Sequence, residues 1–292
     1  AARHGIDLPD YPSLHRWSIE SPEAFWVSLA TFCDLRLRRA PDAVLEDGGR
    51  MPGARFFPGA TLNFAENLLR FRDEHTALIW RNETGARGEL TCRGLHEQVG
   101  RAAAGLRRLG VRAGDRVAAF LPNGPEAVIG MLATTSLGAI WSSCSPDFGT
   151  ASVLDRFGQI APKVLVATDG YWYAGKRIDT RPTVKQLAAK LPGLAAVVGV
   201  GEVPGSISWQ ALTAETAPLD FVAMPFDHPV YILYSSGTTG PPKGIVHGAG
   251  GTLLQHLKEH LLHTDLHRDD RLFYFTTCGW MMWNWLVSGL AS

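Results

Sequence analysis

RVAAFLPNGPEAVIGMLATTSLGAIWSSCS, residues 116–145, decides the fold. It reads as a short apolar strand (RVAAFLP), a Pro/Asn/Gly turn, a helix (EAVIGMLATTSL) and a second apolar strand (AIWSSCS). A strand in which nearly every residue is apolar, rather than every second one, is buried on both faces. Short strands of this kind separated by helices point to a parallel sheet covered by helices on each side.

The same alternation extends in both directions. Upstream, TALIW (76–80) reads as a strand, and Leu95, Val99, Ala102, Ala103, Leu106 and Leu109 form a helical stripe that stops at Gly110. Downstream come the helix SVLDRFGQI, the strand KVLVAT, the helix VKQLAAKL and the strand AAVVGV, and later the strand VYILY (230–234). The expected class is α/β, with layered parallel-rich sheets flanked by helices. In such sheets ligands lie outside the carboxyl ends of the strands. The first seventy residues differ. Ser21 is a candidate N-cap with Pro22 at the first helical position, and Phe25, Trp26, Leu29 and Phe32 follow at helical spacing. A Gly/Pro-punctuated loop, RMPGARFFPGATLNFAENLL, comes next. The expected organisation is a wrapping segment over 1–70 and an α/β unit over 71–292.

Composition narrows the function classes. With 292 residues and 46% apolar content the chain is long enough for a sizeable core. Twenty-eight basic residues balance 28 acidic ones, which gives no electrostatic reason to expect nucleic acid or an anionic membrane. No apolar run is long enough to span a bilayer, and no basic-plus-apolar leader is visible. Four dispersed cysteines without a CxxC pair fit a reduced, cytoplasmic setting.

The candidate site is YSSGTTGPPKG, residues 234–244, directly after the apolar run VYIL. It is neither a Walker A loop, because Pro242 and Gly244 flank Lys243, nor a GxGxxG fingerprint. A solvated linker is one reading of a Gly/Ser/Thr-rich stretch. The other is an anion nest. Amides of Gly237 and Gly240 and hydroxyls of Ser235, Ser236, Thr238 and Thr239 would surround phosphate oxygens, with Lys243 as a mobile point charge. An apolar strand leads into the loop and a helix near LLQHLKEHLL follows it, a position where the α/β rule puts a ligand.

YSSGTTGPPKG resembles the signature loop of the adenylate-forming enzymes, which include acyl-CoA synthetases, luciferases and peptide-synthetase adenylation domains. FPGATLNFAENLL, WSSCSPDFG, IVHGAGGTLLQHLKEHLLHTDL and FTTCGWMMWNWLVSGL are similar to the acetoacetyl-CoA synthetases of that superfamily, and YPSLHRWSIESPEAFW to their leader and that of acetyl-CoA synthetases. The resemblance implies a two-step ligation. A carboxylate attacks the α-phosphate of ATP to give an acyl-adenylate and pyrophosphate, and the thiol of coenzyme A then displaces AMP. It gives Ser235, Ser236, Gly237, Thr238, Thr239, Gly240 and Lys243 to the β- and γ-phosphates, with Mg²⁺ bridging. Thr238, Thr239 and Lys243 would act in catalysis.

In the same way it places Trp280, Met281 and Met282 around the acyl group, although Trp and Met on a helix also suit a plain core. GYWYAGKR (170–177) is similar to a segment that contacts CoA phosphates. Tyr173 stands where the family has an arginine, so Lys176 is the basic residue left, and an exposed basic loop is the alternative. His256, His260, His263 and His267 recur at spacings that would align them on one helix face, and are read as a polar face rather than a metal site. His247 would bond a phosphate or fix the turn. Family members run well beyond the equivalent of Ser292, and the remainder carries the adenine-binding loop, the hinge and a mobile small domain with a further lysine. The expectation is an N-terminal fragment, inactive alone, whose partner is that missing domain. Ligation of acetate, propionate or hydroxybutyrate, or non-catalytic nucleotide binding, are the alternatives.

Overall fold

The computed structural model describes residues 6–235 and 240–292. At its centre is a seven-stranded sheet: β1 (Arg116–Phe120), β2 (Ile140–Cys144), β3 (Val164–Thr168), β4 (Ala196–Val200), β5 (Ile207–Ser208), β6 (Pro229–Ser235) and β7 (Lys243–Gly248). They lie in the order β5-β4-β3-β1-β2-β6-β7. Every neighbouring pair is parallel except β6 and β7, which are antiparallel.

Alternation along each strand feeds two cores. Val117 and Ala119 of β1 and Val164 and Val166 of β3 pack into one cluster with the helices Cys92–Arg108 and Pro125–Ser136. Ala118, Phe120, Leu165 and Ala167 point the opposite way, against the helices Thr150–Phe157 and Arg181–Lys190. Both faces are therefore dry, as the opening strands of the sequence require. The helix Cys92–Arg108 begins where the Thr91 hydroxyl accepts from Gly94 N at 3.1 Å. It stops at Gly110, whose φ of 80° suits a left-handed cap.

Residues ahead of the sheet join its core rather than forming one of their own. Pro22 opens the helix Pro22–Phe32 as expected, preceded by a helix, Tyr11–Glu20, that the sequence reading did not assign. Within the expected stripe Leu29 is buried, whereas Phe32 is exposed. Leu62, Phe64, Ala65 and Leu68 are buried in the first cluster with Tyr231 and Leu253.

Two expectations need correction. TALIW is a strand, Thr76–Arg81, but it pairs antiparallel with Arg87–Thr91 in a separate two-stranded sheet. None of its residues is fully buried, and with the polar RGELT strand beside it this marks a hairpin, not a central strand. The histidines do not share a polar face either. The helix Ala249–Lys258 continues as a π-turn, Glu259–His263, and ends, leaving His263 and His267 exposed. His256 and His260 are buried against the helix Met281–Ser288. Nδ1 of His256 lies 2.7 Å from the Ser288 hydroxyl, and Nε2 of His260 lies 2.8 Å from the Trp285 carbonyl. Among the described residues no helix is long and apolar enough to cross a membrane.

Burial first, then the neighbouring His260 and His247, pushes His256 down to about 3 from an ordinary 6.5. The unfolded chain thus binds the extra proton between those values. Stability from this group is complete above pH 6.5 and falls as the pH drops toward 3. Urea unfolding should lose about 2 kcal/mol from His256 on going from pH 6.5 to 5. His256→Gln, with no proton to gain, should show a flatter pH dependence.

Candidate active site

Strands β1, β2, β3 and β6 run the same way, so their carboxyl ends open on one edge of the sheet. Ser235 is the last residue of β6 and is half-buried. Ser236, Gly237, Thr238 and Thr239 lie outside the described residues. Gly240 is exposed with φ of 94°, where a Cβ would meet no atom of the described residues within 4 Å. Lys243 is exposed and opens β7, register partner of Ser235. The loop thus closes a hairpin instead of leading straight into a helix. Ile245 and Val246, both β-branched, extend the return strand, and the helix waits for Gly248 as its N-cap.

The hairpin is held from beneath by residues that carry no motif. The Tyr234 hydroxyl donates to the Arg156 carbonyl at 2.8 Å, and the Arg156 guanidinium sits 5.0 Å from the Phe148 ring and 5.9 Å from that of Tyr234. Gln159 Nε2 donates to the Pro242 carbonyl at 2.9 Å. In the sequence Arg156 and Gln159 look like ordinary polar positions on an amphipathic helix. Nothing local distinguishes them.

Residues 276–283 lie across the ends of β1 and β2. Cys278 Sγ donates to the Leu121 carbonyl at 2.8 Å, and the Ser143 hydroxyl donates to the Cys278 carbonyl at 2.5 Å. Trp283 Nε1 donates to Asn123 Oδ1 at 2.9 Å. Trp280 caps the helix Met281–Ser288 and is 59% exposed, Met281 is 45% exposed, and Met282 is half-buried. The plain-core alternative therefore applies to Trp283 and Trp285, which are buried, and not to Trp280 and Met281.

Lys176 belongs to a third structure on this edge, the hairpin Gly170–Tyr173 and Lys176–Asp179, which follows β3. Lys176 is exposed, and Arg177 pairs with Asp169 at 3.0 Å. The turn donates two amides, from Ala174 at 3.2 Å and Gly175 at 3.0 Å, to the Glu83 carboxylate. Taken in order along the edge, the Lys176 hairpin, the Trp280 segment and the Lys243 hairpin project from β3, from above β1 and β2, and from β6. The two thiols here are poor nucleophiles. Burial pushes both Cys144 and Cys278 up to about 12. Burial also raises the Tyr234 phenol. His247 sits in β7 with its ring 5.0 Å from that of Tyr231, and burial lowers its pKa.

Comparison with known proteins agrees with this architecture. Residues 11–68 match the acetyl-coenzyme A synthetase N-terminus family. The chain is 52% identical to the acetoacetyl-coenzyme A synthetase of Rhizobium meliloti (strain 1021), covering 99% of this chain and 46% of that one. It is 44% identical to the malonamoyl-CoA synthetase of Penicillium aethiopicum, over 99% of this chain and 43% of that one. The solved acetoacetyl-CoA synthetase from Streptomyces lividans superposes with a TM-score of 0.96 at 48% identity, covering all of this chain and 46% of that one. The chain thus spans less than half the length of these relatives. Residues 64–291, most of the chain, match the AMP-binding enzyme family, and to that family the chain belongs.

Proposed function

We propose that the protein to which this chain belongs is an acid-thiol ligase that joins acetoacetate to coenzyme A, consuming ATP and releasing AMP and pyrophosphate. The observation that carries the reading is the convergence of the Lys243 hairpin, the Trp280–Met281 wall and the Lys176 hairpin on one carboxyl edge. Residues 1–70 serve as the wrapping segment and 71–292 as the α/β unit. Four free cysteines, three of them buried, accord with a cytoplasmic enzyme.

In the first step a carboxylate oxygen forms a bond to the α-phosphorus while the bond to pyrophosphate breaks. Negative charge moves onto the leaving pyrophosphate, so the protein's task is alignment and charge stabilisation. Lys243, free of packing and mounted on a strand, supplies the positive charge. Ser235 and Gly240 bracket the hairpin whose remaining site residues are Ser236, Gly237, Thr238 and Thr239. The positive φ of Gly240 suits a phosphate cradle, and no side chain of the described residues intrudes there. Among the described residues no group of three or more His, Cys, Asp or Glu could hold an ion. In this reading Mg²⁺ would come with the nucleotide and supply charge neutralisation at its phosphates, beside Ser235 and Lys243. In the second step the CoA thiol attacks the acyl carbon and AMP leaves, with Lys176 drawing the CoA phosphates.

Trp280, Met281 and Met282 wall the acyl group. The names of two relatives favour a particular acid class. Acetoacetate and malonamate both carry a carbonyl carbon two bonds from the carboxylate carbon, differing by methyl against amide. A short 3-carbonyl acid is therefore the substrate class, and malonamate is the second acid to test, ahead of acetate, propionate and hydroxybutyrate.

Three outcomes are expected. In the full-length protein Lys243→Ala should slow acid-dependent ATP–pyrophosphate exchange by about 100-fold, the usual cost of removing one donor to a developing anion. Unchanged exchange would remove Lys243 from the phosphate site. Trp280→Ala should raise KM for acetoacetate by about 10-fold and leave KM for ATP within about 2-fold, since it removes binding to one substrate only. The 292-residue chain alone should give no thioester above background, and substantial thioester formation would show that the remainder of the relatives' length is dispensable.

A further inference from the structure

The wall formed by Trp280 and Met281 is not self-supporting. It is a short helix start on an irregular segment, and its position is set by what lies under it. Four hydrogen bonds tie residues 276–283 to the ends of β1 and β2. Two of these run through Asn123, whose side-chain oxygen accepts from Trp283 Nε1 at 2.9 Å and whose nitrogen donates to the Thr276 carbonyl at 3.4 Å. A third comes from Ser143, which donates to the Cys278 carbonyl at 2.5 Å and accepts from Trp141 Nε1 at 3.2 Å. The fourth is the Cys278 thiol on the Leu121 carbonyl. Between them, Gly279 lies so close to the end of β2 that a Cβ would come 3.3 Å from the Ser145 amide nitrogen and 3.5 Å from the Phe148 ring.

We infer that Asn123 and Ser143 are positioning residues for acid specificity: they fix the height of the Trp280–Met281 wall above the sheet edge. The inference rests on the assignment of that wall to the acyl group. Asn123 is exposed at the sheet edge, while its partner Trp283 is 1% exposed. The bond therefore holds a buried indole N–H that would otherwise lack a partner, and losing it lets the Trp283 end of the segment move. Ser143 is 2% exposed and holds the other end, at Cys278. Trp280 and Met281 lie between these two anchors. No described bond links Asn123 or Ser143 to the hairpin Ser235–Lys243, so a shift of the wall changes the acid site and leaves the phosphate site in place. Neither residue needs to touch the acid.

The test uses the full-length protein and acid-dependent ATP–pyrophosphate exchange with acetoacetate, malonamate and propionate. Asn123→Leu keeps the size and removes both hydrogen bonds. Asn123→Asp keeps the acceptor for Trp283 and replaces the donor to the Thr276 carbonyl with a charged carboxylate oxygen. Ser143→Ala removes one oxygen atom. Asn123→Leu and Ser143→Ala should each raise KM for acetoacetate by about 10-fold, with KM for ATP within about 2-fold, and should narrow the preference for acetoacetate over propionate. Asn123→Asp should stay within about 3-fold of wild type in both constants.

Equal rises in both KM values, no change in either variant, or an Asn123→Asp as impaired as Asn123→Leu would overturn the inference. If Asn123→Leu does not fold, the Ser143→Ala and Asn123→Asp pair decides by the same criteria. Wild type without exchange on any short acid, or an inert Trp280→Ala, strikes the acyl assignment itself and removes the inference with it. A responsive Trp280→Ala beside an inert Asn123→Leu and Ser143→Ala strikes the positioning role alone.

Discussion

A sheet dry on both faces leaves polar chemistry only its ends. Val117, Val164 and Val166 face one apolar layer while Phe120, Leu165 and Ala167 face the other, so no polar side chain in the sheet interior could meet a ligand without losing its water. The carboxyl edge escapes this constraint, because there the strands stop and loops with unspent backbone groups begin. Among the described residues, Ser235, Lys176 and Trp280 all sit on that edge, and the sheet behind them keeps its strands in register. The antiparallel β7 fits the same logic. It returns the chain along the sheet border and lets Lys243 sit on a hydrogen-bonded strand, with its side chain exposed.

Where the sequence was legible, a physical periodicity made it so. The largely apolar strands at 116–120, 140–144 and 164–168 and the helices between them appear where their patterns put them, within a few residues. The stop at Gly110 and the helix start at Pro22 follow from backbone preferences that do not depend on tertiary context. The proposed 3-carbonyl acid class, in contrast, rests on the names of relatives and not on any periodicity.

What was missed has equally concrete causes. Hairpin partners such as Arg87–Thr91 and Lys176–Asp179 are polar and short, so no periodicity marks them. Lys243–Gly248 was hidden because Gly, Pro and Ser dominate its approach. His256 and His260 have helical spacing that fits a solvated face as well as a buried one, and only the helix Met281–Ser288 decides between them. Asn123, Ser143, Arg156 and Gln159 support the site through partners far away in the chain, at 160, 135, 78 and 83 residues' separation. No local reading reaches that distance.

Those separations bear on how the site comes into being. Closing a loop costs entropy that grows as the logarithm of its length, so a bond across more than a hundred residues is favourable only after intervening strands have shortened the path. The bonds from Cys278 to Leu121 and from Trp283 to Asn123 join chain positions 157 and 160 residues apart. They depend on β2 through β7, which lie between those positions, being already assembled on β1. Residues 276–283 are therefore expected to settle late in folding, on a sheet already assembled. A nascent chain that has exposed β1 through β6 carries the first strand of the Lys243 hairpin well before residues 276–283 can dock on the sheet edge.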